Sequence, residues 1–201
     1  MERLWQRCIY EKLRCDPEDH YFLLTETPLN TPENRELAAE IMFETFNVPG
    51  IHIAVQAVLA LTASWTDKNR DLSGVVVDSG DGSTQIVPVV EGHVMSNCIQ
   101  QIEIGGRDVT YFVQDIMRER KEEIPKDCSA DIAKIVKEQY SYTCPNIEKE
   151  LARYDSNPEK YIRKYEGIRK VTGQKWTCNI GYERFLCPEI IFNPEVRLMY
   201  Y

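Results

Sequence analysis

Two short segments carry residue types suited to phosphate chemistry. The first is Asp78-Ser79-Gly80-Asp81-Gly82, set between the apolar run Gly74-Val75-Val76-Val77 and a second run from Ser83 to Val90. Glycines at 80 and 82 permit positive φ, so successive backbone N–H groups can converge on an anion. The carboxylates of Asp78 and Asp81 repel phosphate but suit a divalent cation, directly or through its waters. The same residues also read as an ordinary Asp-Gly hairpin turn. In the second segment Lys134, Lys137 and Glu138 stand at i, i+3 and i+4 and share one helix face. Lysines there can reach phosphate or sugar, and the carboxylate can accept from ribose hydroxyls. A solvated helix face has the same pattern. Gln56 lies between an apolar strand and an apolar helix, where its amide can orient a water or simply serve as a hydrogen-bonded core or capping amide.

The elements that would hold these residues follow from periodicity. Trp5 to Arg14 predicts an amphipathic helix, and Tyr21 to Thr25 a buried strand. Thr31 and Pro32 start a helix with Leu37, Ala38, Ile41, Met42 and Thr45 on one face. Ile51 to Val55 is a second strand, leading into a helix from Gln56 to Trp65. The polar stretch Thr66 to Ser73 marks a boundary, after which the period becomes that of strands. Gly74 to Asp78 and Ser83 to Val90 form the hairpin, and a third strand is expected between His93 and Ile104. Asp108 is expected to cap a helix whose face is Val109, Phe112, Val113, Ile116 and Met117. Ser129 to Tyr140, Pro145 to Tyr154 and Pro158 to Tyr165 predict further helices, and Trp176 to Ile180 a strand.

Composition narrows the function classes. The chain has 201 residues and a formal net charge of -8, with 43% hydrophobic and 28% charged residues, as in ordinary globular proteins. Its basic residues do not cluster, so a phosphate backbone would be repelled and no nucleic-acid partner is expected. No apolar stretch is long enough to span a membrane, and the first residues lack the apolar core of a secretory signal. The seven cysteines include no C-x-x-C pair and read as thiols of a reducing compartment. The motifs G-x-S-x-G, G-x-x-x-x-G-K-[ST] and G-x-G-x-x-G are absent, which removes the usual serine-hydrolase, P-loop and dinucleotide signatures.

Taken in order, several segments resemble the actin superfamily. They are Leu23-Leu24-Thr25-Glu26, Pro28-Leu29-Asn30, Asn34-Arg35-Glu36, Ile41 to Asn47 and Val55 to Leu61. The Asp78-to-Gly82 turn, Gly106-Arg107-Asp108, Glu183-Arg184-Phe185 and Cys187-Pro188-Glu189 continue the series. The stretches Ser64 to Leu72, Tyr140 to Pro145, Lys149 to Asp155 and Tyr165 to Ile168 are similar to the actin-related branch rather than to conventional actin.

The resemblance implies an α/β chain with a partial actin-like ATPase fold, built on ribonuclease-H-like halves, and ATP with Mg²⁺ as cofactors. It implies four segments: 1–66 as the end of the first half, 67–107 as the start of the second half with the phosphate-loop hairpin, 108–175 as a helical insert, and 176–201 as a return to the second half. The nucleotide residues it implies are Asp78, Gly80, Asp81, Gly82, Ser83, Gly106, Lys134, Lys137 and Glu138. Gln56 and Asp78 take the catalytic places, Gln56 positioning water and Asp78 holding Mg²⁺ through water. Gln85 stands where the family usually has a histidine near the γ-phosphate. The family's first phosphate loop and its Gly-Gly C-terminal segment are not among these residues. The chain is therefore expected to carry the middle portion of such a protein, with at most a weak ATPase activity of its own. The implied role is a cytoplasmic subunit of the complex that nucleates branched actin filaments, in the actin cytoskeleton and cell projections. Its implied partners are the other subunits, including actin-related protein 2, together with actin filaments and nucleation activators. The alternative is a nucleotide-free actin-like interaction module or a non-functional fragment.

Overall fold

The computed structural model describes residues 1–64, 71–169 and 171–196. The chain divides into two compact units, Met1–Asp78 with Gln85–Gln101, and Ser79–Thr84 with Ile102–Tyr201. Each is described by itself.

The first unit opens with α1 (Glu2–Gln6), continued by a wider π-type turn over Arg7–Leu13 that ends at Arg14 in the left-handed region. Strand β1 (Phe22–Glu26) pairs in parallel with β2 (Ile51–Val55), with Phe22 opposite Ile51 and Glu26 opposite Val55. Between them runs α2 (Pro32–Glu40), whose N-terminus is capped by Thr31 Oγ1 accepting from the Asn34 amide at 3.4 Å. The expected face is only partly buried: Met42 is buried, while Leu37 is exposed. Strand β1 is not buried on both faces either. Leu23 is 58% exposed, while Phe22 and Leu24 on the opposite face pack on the cluster around Met42 and Phe46.

Helix α3 (Gln56–Ala63) follows β2; Trp65, expected at its end, lies outside the described residues. Strands β3 (Gly74–Ser79) and β4 (Thr84–Val90) form the expected hairpin. The third strand is two short pieces, β5 (His93–Val94) and β6 (Gln100–Ile102), both pairing with β4. The tight turn after β4 places Gly92 at φ +80, and its amide donates to Leu72 O at 3.0 Å. Ala57 of α3 packs with Val87 and Val89 in a small core.

The second unit is organised by α4 (Gly106–Glu119). All five residues of its expected apolar face are at most 4% exposed. They pack with Ile132, Ala133 and Val136 of the next helical segment and with Cys178, Ile180, Leu186, Cys187 and Ile190. That segment is α5 (Ser129–Ile135) continued by a π-type turn over Val136–Tyr140. Helix α6 (Ile147–Ser156) is capped by Asn146. Helix α7 (Pro158–Tyr161) is shorter than expected. Residues from Arg163 onward form strand β7 (Arg163–Ile168), antiparallel to β8 (Lys175–Ile180). The β-branched and aromatic content of β7 is low, so its strand conformation comes from pairing with β8 and from Tyr165 stacking on Trp176 at 5.7 Å. Helix α8 (Glu183–Leu186) and a 3₁₀ turn over Cys187–Ile191 complete the described core.

Candidate functional site: the 79–84 turn on helix α4

An α-helix leaves its first amides without intrahelical acceptors. In α4 the turn between β3 and β4 supplies them. The Gly106 amide donates to Gly80 O at 2.9 Å, and the Arg107 amide donates to Asp81 O at 2.8 Å. Asp108 is therefore not the N-cap that its position suggested. It lies three residues into the start, and its Oδ2 accepts from the Gly105 amide at 3.1 Å. The approach is close enough to exclude any side chain at Gly105. A Cβ there would lie 2.5 Å from Asp81 O and 2.8 Å from Gly80 O.

Within the turn the Gly80 amide donates to Ser83 O at 3.0 Å. Thr84, buried, donates to Ile104 O at 2.9 Å and lies 2.8 Å from Ser79 Oγ. These bonds fix the turn from both ends. The amides of Asp81, Gly82 and Ser83 enter no hydrogen bond among the described residues, and Asp81 and Gly82 are exposed. The expected route to an amide nest is corrected in one respect. Positive φ occurs among the described glycines at Gly92 and Gly173, not at Gly80 or Gly82. Docking of the turn's carbonyls on α4, rather than left-handed glycines, orients it. The two glycines serve by leaving its surface bare of side chains.

Lys137 joins this cluster: its Nζ donates to Gly106 O at 2.9 Å. Lys134 and Glu138 instead pair with each other at 3.9 Å, both well exposed. Asp78 is the penultimate residue of β3, exposed, and its carboxylate has no partner among the described residues. A single free carboxylate fits a cation held through water, not a first coordination shell. No group of three or more His, Cys, Asp or Glu suited to a metal occurs among the described residues. Gln56 opens α3 on the first unit and is exposed. Gln85 is occupied: its Oε1 accepts from Thr27 Oγ1 at 3.1 Å, and its Nε2 donates to Gln101 Oε1 at 3.0 Å.

The model of the actin family matches residues 1–165. The chain belongs to the actin family. Among curated relatives it is 59% identical over 198 residues to actin-related protein 3 of Dictyostelium discoideum, covering 98% of this chain and 47% of that one. It is 55% identical to actin-related protein 3 of Caenorhabditis elegans and 57% identical to that of Drosophila melanogaster, in each case covering 97% of this chain and 47% of the relative. The chain thus spans about half the length of the curated relatives it matches. No helix among the described residues is long and apolar enough to cross a membrane.

Sequence reasoning missed the residues that hold the family's turn in place. Gly105 was visible as half of a Gly-Gly pair, but its closeness to Asp81 is a tertiary fact. The buried network at the far end of α4 left no local signal. There Glu183, fully buried, accepts from Arg120 Nη1 at 2.7 Å and from the Gly181 amide at 2.8 Å. Arg120 Nη2 also donates to Glu122 at 3.0 Å. Burial raises the Glu183 pKa, against the opposing pull of Arg120.

Proposed function

We propose that this chain is part of an actin-related subunit of the complex that nucleates branched actin filaments, and that the 79–84 turn holds the phosphates of Mg-ATP. The observation that carries the reading is the docked turn, which leaves the amides of Asp81, Gly82 and Ser83 unbonded beside Gly106 and Lys137. Unpaired amides on a fixed turn suit anionic oxygens, because charge-assisted hydrogen bonds there cost little reorganisation. The kinship with actin-related protein 3 supports the assignment to that subunit.

In this reading Gly80, Gly82, Ser83 and Gly106 line the phosphate side. Lys137 contributes positive charge, and Lys134 with Glu138 reaches toward the nucleoside. Asp78 serves the cation through its waters, the role the family resemblance implies for it. Mg²⁺ supplies charge neutralisation of the phosphates when bound. Gln56 orients the water for hydrolysis, since an amide cannot act as a strong base at neutral pH. The partners are the remaining subunits, including actin-related protein 2, with actin filaments and nucleation activators. The place of action is the cytoplasmic actin cytoskeleton and its cell projections.

Calorimetric titration with Mg-ATP and single-turnover phosphate release test this together. Asp78→Ala should weaken Mg-ATP binding. Gln56→Ala should leave affinity nearly unchanged and slow hydrolysis by roughly 10–1000-fold. Affinity lost in step with rate in Gln56→Ala would make Gln56 a structural amide.

A further inference from the structure

Arg107 is bonded to the turn through its backbone, and its side chain lies alongside it. Its amide donates to Asp81 O at 2.8 Å, and its Nη2 lies 4.0 Å from where a Cβ on Gly82 would stand. The guanidinium is thus placed beside the residues whose amides are unbonded. It forms no ion pair or side-chain hydrogen bond among the described residues, although Asp81 stands on the turn that its amide contacts. The other cations assigned to the site are engaged: Lys134 pairs with Glu138, and Lys137 donates to Gly106 O. Arg107 is therefore the cation there whose charged group has no partner.

The turn carries the Asp81 carboxylate, which opposes the approach of an anion. The three amides and the Lys137 ammonium, which is tied to Gly106 O, oppose that repulsion. A free guanidinium beside them offsets it and offers a planar fork matched to two oxygens of one phosphoryl group.

We propose that Arg107 is a specificity-determining residue of this site, selecting oligophosphate-bearing nucleotides over monophosphates by pairing with a phosphoryl group seated on the Asp81–Ser83 amides. This rests on the phosphate-binding reading of the turn given above.

The test is an amide-resolved NMR titration of the whole chain with ATP and, separately, with AMP, for the parent, Arg107→Ala and Arg107→Lys. In the parent, ATP should shift the Asp81, Gly82 and Ser83 amides. Arg107→Ala should raise the ATP dissociation constant about 10-fold and the AMP constant by less than about 3-fold. Arg107→Lys, which keeps the charge and loses the fork, should fall between parent and Arg107→Ala. ATP binding unchanged in Arg107→Ala overturns the role of Arg107 while leaving the turn as a phosphate site. Equal losses for ATP and AMP also overturn it, because they indicate a structural arginine. If ATP moves none of the three amides in the parent, the phosphate reading of the turn fails and the role of Arg107 fails with it.

Discussion

Helix α4 and strand β3 both present valines and other large apolar residues, and they bury them to different degrees. On α4, Val113 and Ile116 are 0% exposed, while on β3, Val75 and Val77 are 64% and 65% exposed. A helix needs cover along one stripe only, and the second unit supplies it from α5, β8 and the α8 segment. A strand presents two faces. The inward Val76 packs with Val87 and Val89, while the outward Val75 and Val77 are left uncovered by the described residues. Leu23 of β1 repeats the pattern. The second unit therefore contains the packing that fixes its turn, whereas the first leaves apolar rows exposed among the described residues.

The contrast yields graded expectations. Phe112→Ala should produce the largest effect, about 3–5 kcal/mol lost from the second unit in denaturant unfolding, because a 1% exposed ring leaves a cavity. Gly105→Ala should cost about 1–3 kcal/mol, since its Cβ would press on Asp81 O and force the turn off α4. That variant should also lose protection of the Gly106 and Arg107 amides in hydrogen exchange, which a local softening elsewhere would not cause.

The first unit should show a pH signature. Burial tends to raise the Glu26 pKa, but hydrogen bonds from Arg35 and Asn30 outweigh it and hold the carboxyl below its ordinary value. A depressed folded pKa means that its stabilisation is present above the ordinary carboxylate pKa and lost as pH falls through the folded value. Acid unfolding of the parent should thus steepen below about pH 4.5, and Glu26→Gln should flatten that part of the curve. The smallest effect belongs to the exposed row: Val77→Thr should change stability by less than about 0.5 kcal/mol. A loss comparable to Phe112→Ala would show that the row is covered within the chain.

Much of this was legible in the residues. The face of α4 was readable because five apolar residues at helical spacing leave no other arrangement. The hairpin was readable because two β-rich runs flank an Asp-Gly turn. Strand β7 was not, since Arg163-Lys164-Tyr165-Glu166 has a weak intrinsic preference that pairing with β8 overrides. For the candidate site, the position of the turn was legible, but the means of orienting it was not. Glycine suggests positive φ by type, whereas the decisive contact is between Gly80 and Asp81 carbonyls and an α4 start some 25 residues away in sequence. Lys134, Lys137 and Glu138 share one helix spacing, but only the structure shows that Lys137 bonds to Gly106 O while Lys134 and Glu138 pair with each other.

The central claim is that α4 holds the turn by its carbonyls and leaves three amides for phosphate. Amide hydrogen exchange at Gly106, Arg107, Asp81, Gly82 and Ser83, followed with and without saturating Mg-ATP, tests it most directly. Gly106 and Arg107 should be protected in both states, and Asp81, Gly82 and Ser83 should exchange fast alone and slow on adding Mg-ATP. Unprotected Gly106 and Arg107, or unchanged exchange at all three turn amides under saturation, would contradict the account.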